Sequence, residues 1–138
     1  MADKTYSVTA IRQDSSRAQI SARGHELQLN IKKGSGETGF NAAETLLAAL
    51  SACLLTNLNS LSEKMHLEIR SARVELKANR RDDPAQLTGI RYRLVLDSPE
   101  PPNKLEKLVR LSIKWGTVTN TLAEGYQLDG DLVVEDQT

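Results

Sequence analysis

Residues 39–58 read GFNAAETLLAALSACLLTNL, and this stretch sets the architecture of the chain. From Leu46 onward, leucine recurs at intervals of four and three residues and a methionine continues the series, which is the period of a helix rather than the alternation of a strand. Asn41 precedes the apolar run and Glu44 stands three residues later, so that each side chain can satisfy a backbone N–H group of the other at a helix start. The sequence predicts a helix over residues 42–65 that is covered on most sides.

Alternating apolar and polar residues before this helix predict three short strands, near residues 6–10, 18–22 and 27–31. Turn-forming residues separate them, with Asp-Ser-Ser after the first strand and Arg-Gly after the second. Strands this close in sequence indicate an antiparallel meander. The glycine-rich segment 32–39 lacks the Gly-Lys-Ser/Thr ending of a P-loop and is interpreted as a loop.

After the helix, alternation returns near residues 67–78 and 90–96, with an Asp-Asp-Pro turn between two longer strands. Prolines end the second of these strands, and Asn103 is placed to cap a second helix that Gly116 interrupts or redirects. A short helical turn follows, and alternation at residues 128–134 predicts a last strand. The predicted order is β-β-β-α-β-β-α-β, which is an α+β fold.

Length and charge narrow the class of protein. A chain of 138 residues is long enough for one core, so we expect a single domain, residues 1–138. Basic and acidic residues balance at 18 each, so no overall field favours nucleic acid or an anionic membrane. The start MADKTY lacks the order of a signal peptide, and no run approaches the roughly 18 apolar residues of a membrane span. We expect a cytoplasmic protein with neither nucleic-acid nor membrane partners.

The single cysteine, Cys53, is the residue through which any redox chemistry must run. It is either a reactive thiol or a small core residue, since free cysteine is often buried. One cysteine forms no internal disulfide, and with only His25 and His66 beside it the chain offers no spaced metal cluster. We expect no metal site and no cofactor.

Residues 39–53, GFNAAETLLAALSAC, resemble the central helix of the OsmC-like proteins, in which an alanine- and leucine-rich run leads to a peroxide-reacting cysteine. The segments RVEL at 73–76 and KWGTV at 114–118 resemble that family's strand after the helix and its second-cysteine segment. The resemblance implies a strongly bent antiparallel sheet partly wrapped around the long helix, in an intertwined homodimer.

The resemblance assigns Cys53 the attack on a hydroperoxide. At the family's second-cysteine position this chain has Gly116, so an oxidised Cys53 would need an external thiol reductant or a neighbouring subunit. Ala43 occupies the place of the family's catalytic glutamate. Glu44 is adjacent, but nine helical residues separate it from Cys53 by about 13 Å along the axis and half a turn, so it is more readily a helix cap than a catalytic carboxylate.

Three polar residues complete the candidates. The family's arginine falls near the first turn, and both Arg12 and Arg17 are candidates for stabilising a Cys53 thiolate; the alternative for each is a solvated position on an edge strand. Asn57 shares a helix face with Cys53 and would either orient a ligand or bind backbone.

Two functional hypotheses remain open from the sequence. In the first, the chain is a one-cysteine thiol peroxidase that reduces organic hydroperoxides or hydrogen peroxide in the response to oxidative or osmotic stress. In the second, it is a non-enzymatic homodimer that binds a small apolar ligand at its interface. The intact Cys53 favours the first hypothesis, whereas Gly116 and Ala43 favour the second.

Overall fold

The structure, a computed structural model, describes residues 4–135. The described elements are β1 (Thr9–Arg12), β2 (Arg17–Ala22), β3 (His25–Asn30), α1 (Ala42–Lys64), β4 (Ser71–Asp82), β5 (Ala85–Asp97), α2 (Pro102–Lys114) and α3 (Thr117–Glu124). This is an α+β fold with two antiparallel sheets and three helices. The predicted class and the predicted order of the first seven elements are therefore confirmed.

The chain divides into two compact units. Among the described residues, the first unit contains 4–52 together with 72–96, and the second contains 53–71 together with 97–135. Helix α1 contributes its first half to one unit and its second half, beginning with Cys53, to the other. The single domain expected from chain length stays a prediction.

The first sheet has the order β1-β2-β3, with each neighbouring pair antiparallel. Ala22 pairs with His25, so only Arg23 and Gly24 form the turn, with φ of 52° and 83°. Two successive positive φ values define a type I′ turn, whose twist matches that of a hairpin. The predicted meander is confirmed, although β1 begins at Thr9, after the expected start.

The second sheet contains β4 and β5 alone among the described residues. Along β4, half-buried and exposed residues alternate from Ser71 to Asn79, as the period of two requires. The single bent sheet that we expected is wrong for the described chain, where strands pair only with neighbours joined by short turns. The long segment containing α1 separates β3 from β4 in sequence, and no strand pairing bridges it within residues 4–135.

Helix α1 has well-defined ends. At its start, Glu44 N–H donates to Asn41 Oδ1 at 2.8 Å and Asn41 N–H donates to Glu44 Oε1 at 3.0 Å, which is the capping box read from the sequence. At its end, His66 adopts φ 56°, and Leu67 N–H donates to Ser62 O at 2.8 Å. This 6→1 bond is that of a Schellman motif, which stops the helix one residue before the predicted end.

Burial of α1 follows one stripe, at Leu50, Leu54, Leu58 and Ser62. The expectation that the helix is covered on most sides is wrong for the single chain, because Ala49, Ala52 and Thr56 on other faces are exposed. A small chain has too little surface to surround a helix of 23 residues. By length and composition alone, α1 could also cross a membrane. Core helices of water-soluble proteins pass the same test.

Two corrections concern the last quarter of the chain. Helix α2 begins at Pro102 with Pro101 as N-cap, so Asn103 is not the cap; proline fits the first helical turn because its missing N–H needs no partner there. The last strand predicted at 128–134 is also wrong, since the described residues after α3 form no strand. A strand requires a neighbour for its backbone hydrogen bonds, and the described chain offers this segment none.

Candidate active site

The candidate site lies in the second unit, where Cys53 projects from α1 toward the junction of α2 and α3. Cys53 is a half-buried free thiol. A β-carbon placed on Gly116 would lie 3.0 Å from Cys53 Sγ. The structure thus brings the cysteine to the position that the resemblance assigned to a second cysteine, within the second unit.

Gly116 is the N-cap of α3 and has ordinary extended backbone, with φ −79° and ψ 127°. Gly116 therefore does not use the left-handed conformation that glycine adopts more readily than other residues. Its constraint is space, because a β-carbon there would also lie 2.8 Å from Thr119 Oγ1 and 3.2 Å from Thr119 Cβ. Gly116 permits a close approach between the start of α3 and the cysteine on α1.

Asn57 anchors α1 to α2 beside the cysteine. Its Nδ2 donates to Ser112 O at 3.1 Å and lies 3.9 Å from Cys53 Sγ. Ser112 is itself buried, and its hydroxyl donates to Leu108 O at 2.8 Å. The sequence left two roles open for Asn57, orienting a ligand or binding backbone, and the structure shows the hydrogen bond to backbone.

Thr119 is a site residue that the sequence reasoning missed. Its Oγ1 is buried and has no hydrogen-bond partner among the described residues. It is the third residue of α3, and helical side chains point back toward the N-terminus, so its hydroxyl covers the N-cap glycine. The available signal was a threonine three residues after Gly116, at the start of the predicted helical turn.

Three other residues considered from the sequence, Glu44, Ala43 and Arg12, lie in the first unit. Glu44 forms the helix cap, and Ala43 lines a cavity at the start of α1 together with Lys32, Lys33 and Arg80 among other residues. Arg12 is exposed at the end of β1. None of these contacts assigns a catalytic role.

Arg17 is held by Asp14 in the β1–β2 turn. Its Nε donates to Asp14 Oδ2 at 2.8 Å, while Asp14 Oδ1 accepts the Ser16 and Arg17 backbone N–H groups, both at 2.9 Å. The hydrogen bond from the Arg17 side chain, supported by the one from Ser16 N–H, holds the pKa of Asp14 well below its usual value. Arg17 therefore has a local structural role, which is to fix the β1–β2 turn.

The polar surroundings of Cys53 Sγ combine backbone at the start of α3 with the Asn57 side-chain amide, which donates to the sulfur at 3.9 Å. The N-terminus of α3 lies beside the sulfur, and a helix N-terminus carries a partial positive charge. Within residues 4–135, no group of three histidine, cysteine or carboxylate side chains could hold a metal ion. The arrangement therefore provides one nucleophilic sulfur, a helix N-terminus and a buried hydroxyl.

Solved structures with the same fold were found. An OsmC-like protein from Mycoplasma pneumoniae aligns with a TM-score of 0.82 at 21% identity, covering 89% of this chain and 90% of that one. A hypothetical protein from Aquifex aeolicus aligns with a TM-score of 0.76 at 20% identity, covering 88% and 89%. The organic hydroperoxide resistance protein OhrB of Bacillus subtilis aligns with a TM-score of 0.61 at 20% identity, covering 88% and 92%.

None of the curated proteins matches the chain. The sequence model of one family, described as OsmC-like protein, matches residues 34–129. That match runs from the loop before α1 to the segment after α3, and so includes Cys53, Gly116 and Thr119. The agreement of this sequence match with the shared fold places the chain in the OsmC-like family.

Proposed function

We propose that the protein is a one-cysteine thiol peroxidase that reduces organic hydroperoxides or hydrogen peroxide. The observation that carries the proposal is the position of Cys53 Sγ beside Gly116 at the N-terminus of α3. A half-buried sulfur there is reachable by a small substrate. The similarity of fold to an organic hydroperoxide resistance protein supports this substrate class by analogy.

The oxidative half of the reaction requires only the thiolate of Cys53 and a peroxide, and the reductive half requires two external thiols. The sulfur attacks one peroxide oxygen, the O–O bond breaks as an S–O bond forms, and the leaving oxygen takes a proton and departs as an alcohol or water. The sulfur loses two electrons and becomes a sulfenic acid. An external thiol then attacks this sulfur to give a mixed disulfide and water. A second thiol attacks the external sulfur of that mixed disulfide, which releases reduced Cys53 and the disulfide of the two external thiols.

The test measures the sulfenic acid directly. Reduced protein is mixed with stoichiometric cumene hydroperoxide or hydrogen peroxide, and the oxidised sulfur is trapped with dimedone and quantified by mass spectrometry. We expect one adduct per chain, formed faster with cumene hydroperoxide. Cys53→Ser is the control; it should fold, because the two residues are similar in size, and should give no adduct. Absence of oxidation in folded parent protein would exclude peroxidase activity.

The protein is proposed to act as a cytoplasmic homodimer. Residues 126–134 follow α3 with Leu128 exposed to 94% and Leu132 to 86%, and uncovered apolar side chains in a segment without strand partners indicate an interaction surface. A second copy would cover these residues and the exposed faces of α1. Sedimentation equilibrium at micromolar concentration should give the mass of two chains.

Variants of the exposed segment 126–134 test whether it forms the dimer interface. Replacing both Leu128 and Leu132 by glutamate should weaken the dimer, since a buried carboxylate without a partner is costly. Gln127→Glu adds a charge to the same segment without removing an apolar side chain and should leave the dimer intact. A parent protein that sediments as a stable monomer would contradict the assembly.

A second candidate function is the binding of a small apolar molecule without catalysis. The first unit contains an open groove of 260 Å³ lined by Phe40, Leu47, Ala48, Val74 and Leu76, with Glu44 and Ser51 at its side. This volume lies just below the usual range of about 300–1,000 Å³ for ligand pockets, so the groove suits a small ligand. Binding of an apolar fluorescent probe that Ala48→Phe abolishes, in a protein whose Cys53 resists peroxide, would favour this function.

A further inference from the structure

Thr119 carries a hydroxyl that the fold buries without an evident purpose. Its Oγ1 has no hydrogen-bond partner among the described residues. A hydroxyl is both a donor and an acceptor, and burying one without a partner is unfavourable. Such groups are rare in native proteins, and their explanations include a bound water or ion, local strain, and a role in redox or catalytic chemistry.

The hydroxyl and Cys53 Sγ both lie close to Gly116. The point at which Gly116 would carry a β-carbon lies 2.8 Å from Thr119 Oγ1 and 3.0 Å from Cys53 Sγ. The hydroxyl and the thiol therefore border the same small gap, which the glycine leaves open. The side-chain amide of Asn57 has two N–H donors, and it uses them on Ser112 O at 3.1 Å and on Cys53 Sγ at 3.9 Å. Thr119 is a second donor near the sulfur, and it has no partner among the described residues.

In this structure the Thr119 hydroxyl makes no hydrogen bond to Cys53 Sγ. We propose that Thr119 is a positioning residue for Cys53, whose hydroxyl turns to donate a hydrogen bond to the thiolate and, after oxidation, to the sulfenic oxygen in the gap beside Gly116. This proposal rests on the proposed peroxidase function for its second half. The hydroxyl donates a hydrogen bond and transfers no proton, so the balance of the reaction is unchanged. The oxygen on the sulfur comes from the peroxide and occupies space that a side chain at position 116 would fill.

The consequence is a sulfenic acid that persists. In a chain without a second cysteine, the oxidised sulfur must wait for an external thiol, and overoxidation competes during that time. A hydrogen bond to the sulfenic oxygen orients it into the gap and slows its further reaction. Gly116, at the position of the family's second cysteine, and the buried hydroxyl of Thr119 thus belong to the same site.

The first experiment compares the rate of Cys53 alkylation by iodoacetamide against pH in the parent and in Thr119→Val, which has nearly the same shape but no hydroxyl. We expect the midpoint of the profile to rise by about one pH unit, so that the rate below the midpoint falls about tenfold, because a hydrogen bond to the thiolate is lost. Thr119→Ser should restore the parent profile. Thr121→Val, in the same helix, removes a hydroxyl that donates to Thr117 O at 2.8 Å and should leave the profile unchanged.

The second experiment measures how long the sulfenic acid remains trappable by dimedone after stoichiometric cumene hydroperoxide. Its lifetime should fall several-fold in Thr119→Val and recover in Thr119→Ser. Identical alkylation profiles in folded parent and Thr119→Val would overturn the proposal, as expected if the hydroxyl only binds a water molecule. If valine prevents folding, Thr119→Ala makes the same comparison. A parent that alkylates normally but is never sulfenylated would instead refute the peroxidase function, while the alkylation profiles still decide the role of Thr119.

Discussion

Replacing Gly116 by cysteine should convert the one-cysteine site into a two-cysteine site. A β-carbon at this position lies 3.0 Å from Cys53 Sγ. In a disulfide, the sulfur of one cysteine lies about 3 Å from the β-carbon of the other, because an S–S bond of about 2.05 Å is followed by a C–S bond at an open angle. The backbone already has the distance that a disulfide needs, and φ of −79° permits a side chain.

The energetic effects of this change have opposite signs. The new β-carbon meets Thr119 Oγ1 at 2.8 Å, so Thr119 must turn, and the reduced variant should lose about 1–3 kcal/mol of unfolding free energy through overpacking. Closing the loop of roughly 60 residues between the two cysteines should stabilise the oxidised variant over its reduced form by about 4 kcal/mol on the chain-entropy account. Gly116→Ala is the matched control, since it introduces the same β-carbon without a thiol.

The assay treats the reduced variant with one equivalent of cumene hydroperoxide and maps the 53–116 linkage by peptide mass spectrometry. Urea denaturation with and without reductant measures the two stability changes. We expect rapid formation of the disulfide and faster peroxide turnover with a dithiol reductant than in the parent protein. A folded variant in which peroxide neither links Cys53 to the new thiol nor sulfenylates it would refute the reasoning.

Three further changes test the first unit. Glu44→Gln should preserve the capping box with Asn41 and lower the unfolding free energy by less than about 1 kcal/mol. Peroxide reduction should be unchanged. An activity loss of orders of magnitude at unchanged stability would show that this carboxylate is catalytic. Asp14 has its pKa depressed chiefly by the hydrogen bond from Arg17, so its stabilisation is present above its unfolded pKa of about 4 and is lost progressively as pH falls below it. Melting curves of Asp14→Asn between pH 2 and 7 should therefore fall less steeply in acid than those of the parent, and parallel curves would contradict the linkage. Arg23→Asn should raise the unfolding free energy by up to about 1 kcal/mol and the melting temperature by a few degrees, because asparagine tolerates φ of 52° better than arginine does. A lower melting temperature would disprove the turn assignment.

Local chemistry made much of the fold predictable. The four-residue spacing of leucines and the Asn41–Glu44 pair specified α1 and its cap, and both act between residues less than two helical turns apart. The alternation in β4 likewise followed from neighbouring side chains pointing to opposite faces. The last strand failed for the converse reason, since residues 128–134 have the pattern of a strand but no neighbour in the described chain to complete the backbone hydrogen bonds.

The sequence by itself determined that Cys53 is the only thiol, that it lies on a long capped helix, and that Gly116 stands where the OsmC-like family has a second cysteine. Only the tertiary structure decided that Gly116 is restricted by the nearby Thr119 and Cys53 side chains rather than by a positive φ, and that Thr119 Oγ1 borders the same gap as the sulfur. Periodicity and capping record interactions within one helix or between strands joined by a short turn. The distance between residues on α1 and α3 depends on how the intervening chain packs, and no local pattern encodes it.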